Sequence, residues 1–248
     1  MTTVAAIWRH PIKAHGREAI ERVVLIAGQT MPWDRHWAVT HDAGSYDGGW
    51  APCQTFMIGM RTPGLAAIWA RLDEDTATVH LRHADLGSFS FRPDDATQQA
   101  AFFDWIAPIC PADRASPDSV VTAGARGMTD SAYPSVSILN LASHRAVAAQ
   151  LGQDIEPERW RCNIWLESLP AWSEFDWIGR EIRIGGATLR VRERIKRCML
   201  TATNPATGQR DADTLGGLKA GWDHTDFGIY AEVITGGPVA CTDTCEVI

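Results

Sequence analysis

Three groups of residues in this chain have the types and spacing for chemistry. The most informative runs from Arg190 to Gly208. It opens as a basic strand in which Arg190, Arg192, Arg194 and Lys196 alternate with Val191, Glu193, Ile195 and Arg197. Cys198 follows directly, and Asn204-Pro205-Ala206-Thr207-Gly208 then reads as a turn, with proline in its second position and a late glycine. Nearby positive charge stabilises a thiolate, and a thiolate is both a soft metal ligand and a nucleophile. The same residues also suit a buried structural cysteine beside a solvated basic face.

Arg161-Cys162-Asn163 opens a predicted strand. An arginine offers a planar fork of donors suited to phosphate, and an asparagine offers donor and acceptor together; an exposed arginine and a turn asparagine fit equally. Alternation along that strand sends Cys162 to the face opposite Arg161 and Asn163, so Cys162 reads as core. Trp33-Asp34-Arg35-His36-Trp37, with Lys13 just after His10-Pro11-Ile12, sets two cations among aromatic rings. They could grip an anion or simply stack on the surface. His80 and His83 lie three apart in a predicted strand and point to opposite faces, so they do not read as a shared metal site. Cys241 and Cys245 lack nearby partners and read as structural.

These residues must be positioned mostly by strands. Val4–Trp8, Glu21–Ile26, Trp37–Thr40, Val136–Leu139, Asn163–Leu166, Glu181–Ile184, Ala187–Arg192 and Ile229–Ile234 carry the β-branched and aromatic residues of strands, and Thr76–Arg82 alternates with period two. Gly185-Gly186 supplies the positive φ angles of a hairpin turn. Two helices are expected: Asp95–Ile106 after Pro93, and Ser143–Leu151 with Ser143 as N-cap and Gly152 just past the end. Pro111 to Gly127, rich in Pro, Ser, Asp and Gly, reads as a linker. The fold class is mainly β with a few helices (α+β), built around a barrel. A doubly wound sheet is disfavoured, and no glycine-rich phosphate loop is present.

Composition limits the function classes. Hydrophobic content of 45% and charged content of 21% are those of a globular chain with its own core. A net charge of −7 lacks the basic footprint of a nucleic-acid or anionic-membrane binder. The six cysteines contain no C-x-x-C pair, so reduced thiols in a cytoplasm are the simplest reading. No apolar run approaches a signal sequence or the ~20 residues of a membrane span. A cytoplasmic, soluble protein is expected.

Taken in order, Ile7-Trp8-Arg9-His10-Pro11-Ile12-Lys13, Asp34-Arg35-His36-Trp37, Arg161-x-Asn163, Arg197-Cys198-x-Leu200-Thr201 with Asn204-Pro205-x-Thr207-Gly208, and Phe227-Gly228-x-Tyr230 resemble the MOSC family (the molybdenum cofactor sulfurase C-terminal domain) preceded by its N-terminal β-barrel companion. The mitochondrial amidoxime-reducing components and their bacterial relatives share this layout. The resemblance implies a smaller β-barrel-like domain over residues 1–110, a linker over 111–127 and a MOSC β-barrel over 128–248, with the N-terminal strand free to pack on the latter.

The resemblance also implies a site. Cys198 matches the cysteine that ligates molybdenum, and Lys13, Arg35, Ser131, Arg161, Asn163, Arg197 and Tyr230 match positions around the pterin and its phosphate. Ala14, Cys162 and Lys196 depart from the serine, proline and serine found in relatives. The implied cofactor is the molybdenum cofactor, with no pyridoxal phosphate. The implied reaction is reduction of a small N-hydroxylated compound (an amidoxime, hydroxylamine or N-hydroxylated base), with electrons from a separate redox protein, since no flavin, haem or iron–sulfur motif is visible. Two rival readings are a sulfur carrier holding a persulfide on Cys198 and a non-catalytic anion-binding module.

Overall fold

A computed structural model describes all residues, 1–248. The strands in chain order are β1 (Thr2–Arg9), β2 (Glu18–Ile20), β3 (Arg22–Leu25), β4 (Trp37–His41), β5 (Trp69–Asp73), β6 (Thr78–His83), β7 (Gly87–Phe91), β8 (Pro117–Thr122), β9 (Val136–Asn140), β10 (Ile164–Glu167), β11 (Glu181–Ile184), β12 (Ala187–Lys196), β13 (Asp226–Thr235), β14 (Gly237–Ala240) and β15 (Thr244–Val247). The helices are α1 (Ala96–Ile106), α2 (Leu141–Leu151) and α3 (Thr214–Trp222).

Seven strands close into a barrel in the order β10-β9-β13-β12-β11-β15-β1, with β1 pairing back onto β10 and β2 added outside β1. All neighbours are antiparallel except β9 and β10, which α2 joins as a crossover. Closure leaves the seven strands no free edge. The interior is apolar: Val136, Ile138, Ile164, Leu166, Ile182, Ile184, Leu189, Val191, Ile229 and Val233 pack with Val4 and Ile7. Those last two are three apart, an odd spacing for one face of a strand. A register shift between Val4 and Ala6 resets the alternation and turns both inward. The first strand of the chain therefore belongs to the barrel made otherwise of residues beyond 135.

Of the remaining N-terminal strands, β3 pairs with β14, β5-β6-β7 form a meander, and β4 pairs with β8. Trp37, Val39, Leu65, Ile68, Val79, Leu81 and Phe91 pack with Phe102 and Ile106 of α1 in a second core. Asp95 caps α1 by accepting from the Thr97 N–H. His80 and His83 do lie on opposite faces of β6, His83 buried with Val79 and Leu81.

Several expectations need correction. The stretch 111–127 contains β8, whose Val120, Val121 and Thr122 pair with Val39, Ala38 and Trp37; their β-branched side chains outweigh the surrounding Pro, Ser and Gly. The N-cap of α2 is Asn140, which accepts from the Ala142 N–H, whereas the Ser143 hydroxyl donates to Glu174. Gly152 ends that helix in the left-handed region, as expected. The strand after Arg161 begins at Ile164, not Asn163. β2, β5, β7, β14, β15 and α3 had no clear signal. Most of these strands are five residues or shorter, and α3 carries three glycines. No helix is long and apolar enough to cross a membrane.

Burial sets the pH response of this fold. His15 and His144 are each lowered from 6.5 to about 4, and His10 to about 3, mainly because burial disfavours the charged ring. Below pH 6.5 the unfolded chain takes up protons that the folded chain refuses until about pH 4. These groups therefore leave stability highest above pH 6.5, and it falls as the pH drops through that window. Denaturant titrations across that window should show a declining midpoint. A midpoint unchanged down to pH 4 would show that these rings titrate outside their folded environment.

Candidate functional site

The end of β12 delivers Cys198. The Arg197 N–H donates to the Thr225 carbonyl, and Cys198 then caps a 3₁₀ turn over Met199–Ala202 whose Thr201 hydroxyl donates to the Cys198 carbonyl at 3.0 Å. The expected turn follows. Asn204 accepts from the Ala206 N–H at 2.8 Å, and Gly208 (φ +70°) donates its N–H to the Asn204 carbonyl at 2.9 Å. A Cβ at Gly208 would come within 2.8 Å of Gly64 Cα, so only glycine lets the turn lie against the N-terminal segment. Arg17, stacked on Trp69, ties the turn down by donating to the Pro205 carbonyl at 2.9 Å. On β12, Arg190 pairs with Glu181 and Arg192 with Glu232, whereas Arg194, which lies over the Phe175 ring, and Lys196 line the cavity.

Cys198 is exposed and lines a cavity of about 380 Å³ between the barrel and the N-terminal segments. Lys13, Arg35, Ser131, Arg161, Arg197 and Tyr230 line the same cavity. Of the eight site residues that the resemblance implied, only Asn163 does not.

Three wall residues hold the left-handed backbone that non-glycine residues rarely adopt: Ala14 (φ 65°), Arg35 (φ 50°) and Arg161 (φ 50°). Such conformations persist only where the surroundings impose them. Here the Arg35 N–H donates to the His10 carbonyl at 2.6 Å and the Met128 N–H to the Arg35 carbonyl at 2.7 Å. The Arg35 guanidinium pairs with Asp34 and donates to the Arg161 carbonyl at 2.8 Å. Asp34 is fully buried and also accepts from the His10 N–H at 2.8 Å. Burial alone would raise its pKa, but Arg35 and the His10 bonds hold it well below the usual carboxylate range.

The cations differ in how far their donors are used. Lys13 is bound by the Met128 carbonyl at 2.7 Å and by Asp130. Partial desolvation of its outward-facing carboxyl would raise the Asp130 pKa, but Lys13, Arg35 and Arg161 bring it below the ordinary value. Arg197 directs Nε and Nη2 to the Phe227 carbonyl and Nη1 to the Trp160 carbonyl, so it braces the wall. Arg161 donates only once within the protein, from Nη2 to the Gly16 carbonyl at 3.1 Å. Burial and the neighbouring Arg35 and Arg17 bring its pKa down to about 9. Four of the five N–H donors of this guanidinium have no partner within the protein, and their fork has the geometry that suits a phosphate or carboxylate.

The polar neutral residues are more constrained. The Ser131 hydroxyl donates to the Tyr133 carbonyl at 2.6 Å and lies 2.7 Å from the Ser135 hydroxyl. Asn163 Oδ1 accepts from both the N–H and the hydroxyl of Ser137, and Nδ2 donates to the Trp8 carbonyl. Its amide is spent on holding Ser137, itself a wall residue, and joining β1 to β9. Tyr230, opposite Glu193 across β12 and β13, has its pKa raised by burial and by Asp130. Gly228 just before it (φ +77°) tolerates no Cβ, which would come within 2.3 Å of Leu139. Cys162 is core, as expected, though alternation is not the reason. The backbone is left-handed at Arg161, and the thiol donates to the Ser137 and Ile164 carbonyls among Trp160, Trp165 and Phe227, where burial pushes it up to about 12.

The structure adds residues that the sequence did not single out. Asp130 partners Lys13, and Arg159, bound to Glu156 and Asp211, stands in the wall. Cys53 also lines the cavity, half-buried; burial, then Asp130, raises its pKa, and a charge on Cys198 would raise it further. An isolated cysteine 145 positions before Cys198 carries no local signal of this; only the fold brings the two to one cavity.

Two family models agree with this architecture. The MOSC domain model matches residues 128–246, and the MOSC N-terminal beta barrel domain model matches residues 1–108. No curated protein matches the chain. Among solved structures, the YuaD protein from Bacillus subtilis is similar at 13% identity, covering 100% of this chain and 96% of its own, with a TM-score of 0.47. YiiM from Geobacillus stearothermophilus is similar at 13% identity over 46% of this chain and 53% of its own, with a TM-score of 0.36. With a closed seven-stranded barrel carrying Cys198 at its rim and the two family models spanning nearly all of its length, this chain belongs to the MOSC family, which is associated with molybdenum-cofactor-binding proteins.

Proposed function

We propose that this protein is a molybdenum-cofactor-dependent oxidoreductase that reduces N-hydroxylated compounds to their N–H forms, with the Cys198 thiolate as the metal ligand. One observation carries the reading: Arg161, buried and nearly unpartnered, shares a single cavity with Lys13, Arg35 and the exposed thiol of Cys198. The donor set fits the cofactor. A soft sulfur stands at one side for a soft metal, and guanidinium and ammonium groups stand where a phosphate would neutralise them.

When bound, the cofactor supplies two-electron redox chemistry that no side chain here provides. The chain's own residues bind and orient. Arg161 and Arg35 supply forked donors, and Lys13 adds a point charge already shared with Asp130. Arg197, Asn163 and Ser131 hold the wall through backbone and hydroxyl bonds, keeping the cationic groups from relaxing away from the cavity. Electrons would come from a separate redox protein.

The test is the molybdenum-to-protein ratio, with pterin content, in protein made by a cofactor-competent host. Arg161→Ala and Arg35→Ala should each lower both quantities more than they lower stability of the cofactor-free protein. A charge-assisted bond is worth on the order of 1.5–3 kcal/mol, roughly tenfold or more in occupancy. Equal cofactor content in wild type and both variants would remove these arginines from the site. A wild-type protein without molybdenum, carrying extra sulfur on Cys198, would replace the reading with sulfur carriage.

A further inference from the structure

Cys53 has no role in the chemistry above, yet it is the other thiol that opens onto the cavity of Cys198. Of the remaining four cysteines, Cys162 and Cys245 are buried in the cores, and Cys110 and Cys241 pack against them. The segment that carries Cys53 is pressed against the segment that carries Cys198. A Cβ at Gly59 would come within 2.5 Å of Leu200 Cδ1, and Arg210 donates to the Met60 carbonyl at 2.7 Å. Cys53 itself lies in a one-turn 3₁₀ helix, Cys53–Thr55, held between the buried Ala51 and Phe56, so its half-buried thiol is presented at the cavity wall by a fixed segment.

We propose that Cys53 and Cys198 form a redox pair, joined as an intramolecular disulfide when the cavity lacks its cofactor and a peroxide-class oxidant is present. The steps balance. The exposed Cys198 sulfur attacks the peroxide O–O bond, forming a sulfenic acid and releasing water or an alcohol; two electrons pass from sulfur to oxygen. The Cys53 sulfur then attacks the sulfenic sulfur, an S–S bond forms, the S–O bond breaks, and the hydroxyl leaves with the Cys53 proton as water. A thiol reductant reverses the bond. Two consequences follow: Cys198 is spared irreversible oxidation to oxyacids, and the disulfide occupies the sulfur that a metal would need. The inference goes beyond the cofactor reading and stands independently of it, because it concerns only the unloaded chain.

The experiment treats cofactor-free protein with one equivalent of hydrogen peroxide for the cross-link and, in parallel, with a several-fold excess for the oxyacids, followed by free-thiol counting and peptide mapping without reduction. Two of the six thiols should be lost, in a cross-link between the Cys53 and Cys198 peptides of one chain, and dithiothreitol should restore them. Cys53→Ser and, independently, Cys53→Ala should abolish the cross-link and raise formation of sulfinic and sulfonic Cys198 several-fold; Cys110→Ser should change nothing. Oxidation of Cys198 to oxyacids at the same rate in wild type and both Cys53 variants, with no cross-link, would overturn the pair. So would a cross-link only between chains. Peptide mapping of the wild type does not depend on any variant folding. Absence of molybdenum from host-expressed protein would sink the cofactor reading and leave this result untouched.

Discussion

If the proposed function holds, Cys198→Ser should abolish reduction of N-hydroxylated compounds, and loss of the metal should accompany it. A hydroxyl is a poor ligand for a soft metal ion, and even outer-shell partners of metal ligands typically cost 10–100-fold when removed, so a loss on the order of 100-fold or more is expected for the ligand itself. Because the side chain is exposed, the change should alter stability of the cofactor-free fold by no more than about 0.5 kcal/mol. Cys162→Ala is the matched comparison. Its sulfur lies in the core, so stability should fall while activity stays near wild type. Steady-state kinetics, metal content and denaturant unfolding of the two variants separate the roles. A fully active Cys198→Ser enzyme together with an inactive, metal-free Cys162→Ala enzyme would reverse the assignment of the two thiols.

Asp34→Asn should be the most damaging single change to the scaffold of the site. The carboxylate is fully buried and serves Arg35, the His10 N–H and, at 3.2 Å, the His10 ring. Asparagine has one acceptor oxygen, so either Arg35 or the His10 N–H must face an NH₂ group. Breaking a buried pair by removing one partner typically costs about 3–5 kcal/mol, since the other charge stays buried without compensation. The left-handed turn at Arg35 depends on the same bonds, so cofactor occupancy should fall too. The sign with pH follows from the lowered Asp34 pKa. Its contribution is complete above the usual carboxylate range and disappears as the pH falls toward the folded value. The deficit of the variant should therefore be largest near neutral pH and shrink in acid. Denaturant unfolding at several pH values measures this, and a deficit below about 1 kcal/mol at neutral pH would show that Asp34 is not the buttress.

The sequence alone determined what rests on neighbours in the chain. Alternating β-branched residues made β9, β11, β12 and β13 readable, and a glycine after alanine-rich helical spacing marked the end of α2. The Asn-Pro-x-Thr-Gly turn after Cys198 has the conformation its residues dictate. Ordered short motifs also made the family and the barrel legible, and they singled out Lys13, Arg35, Arg161 and Cys198, which the fold brings to one cavity. Short strands such as β5, β7 and β15 were not legible, because a segment of four or five residues becomes a strand through the partner it finds.

Tertiary structure decided the rest. Barrel closure carries β1 to β10 across more than 150 residues of chain, and with it sets Lys13 beside residues from 128 onward. It spent the Asn163 amide on Ser137 and Trp8, left Arg161 with one internal bond, and brought Cys53 to the cavity of Cys198. Residue type and spacing set what a side chain can donate, accept or ligate. Whether those groups are already used within the protein depends on which distant backbone passes beside them, and that is a property of the closed fold.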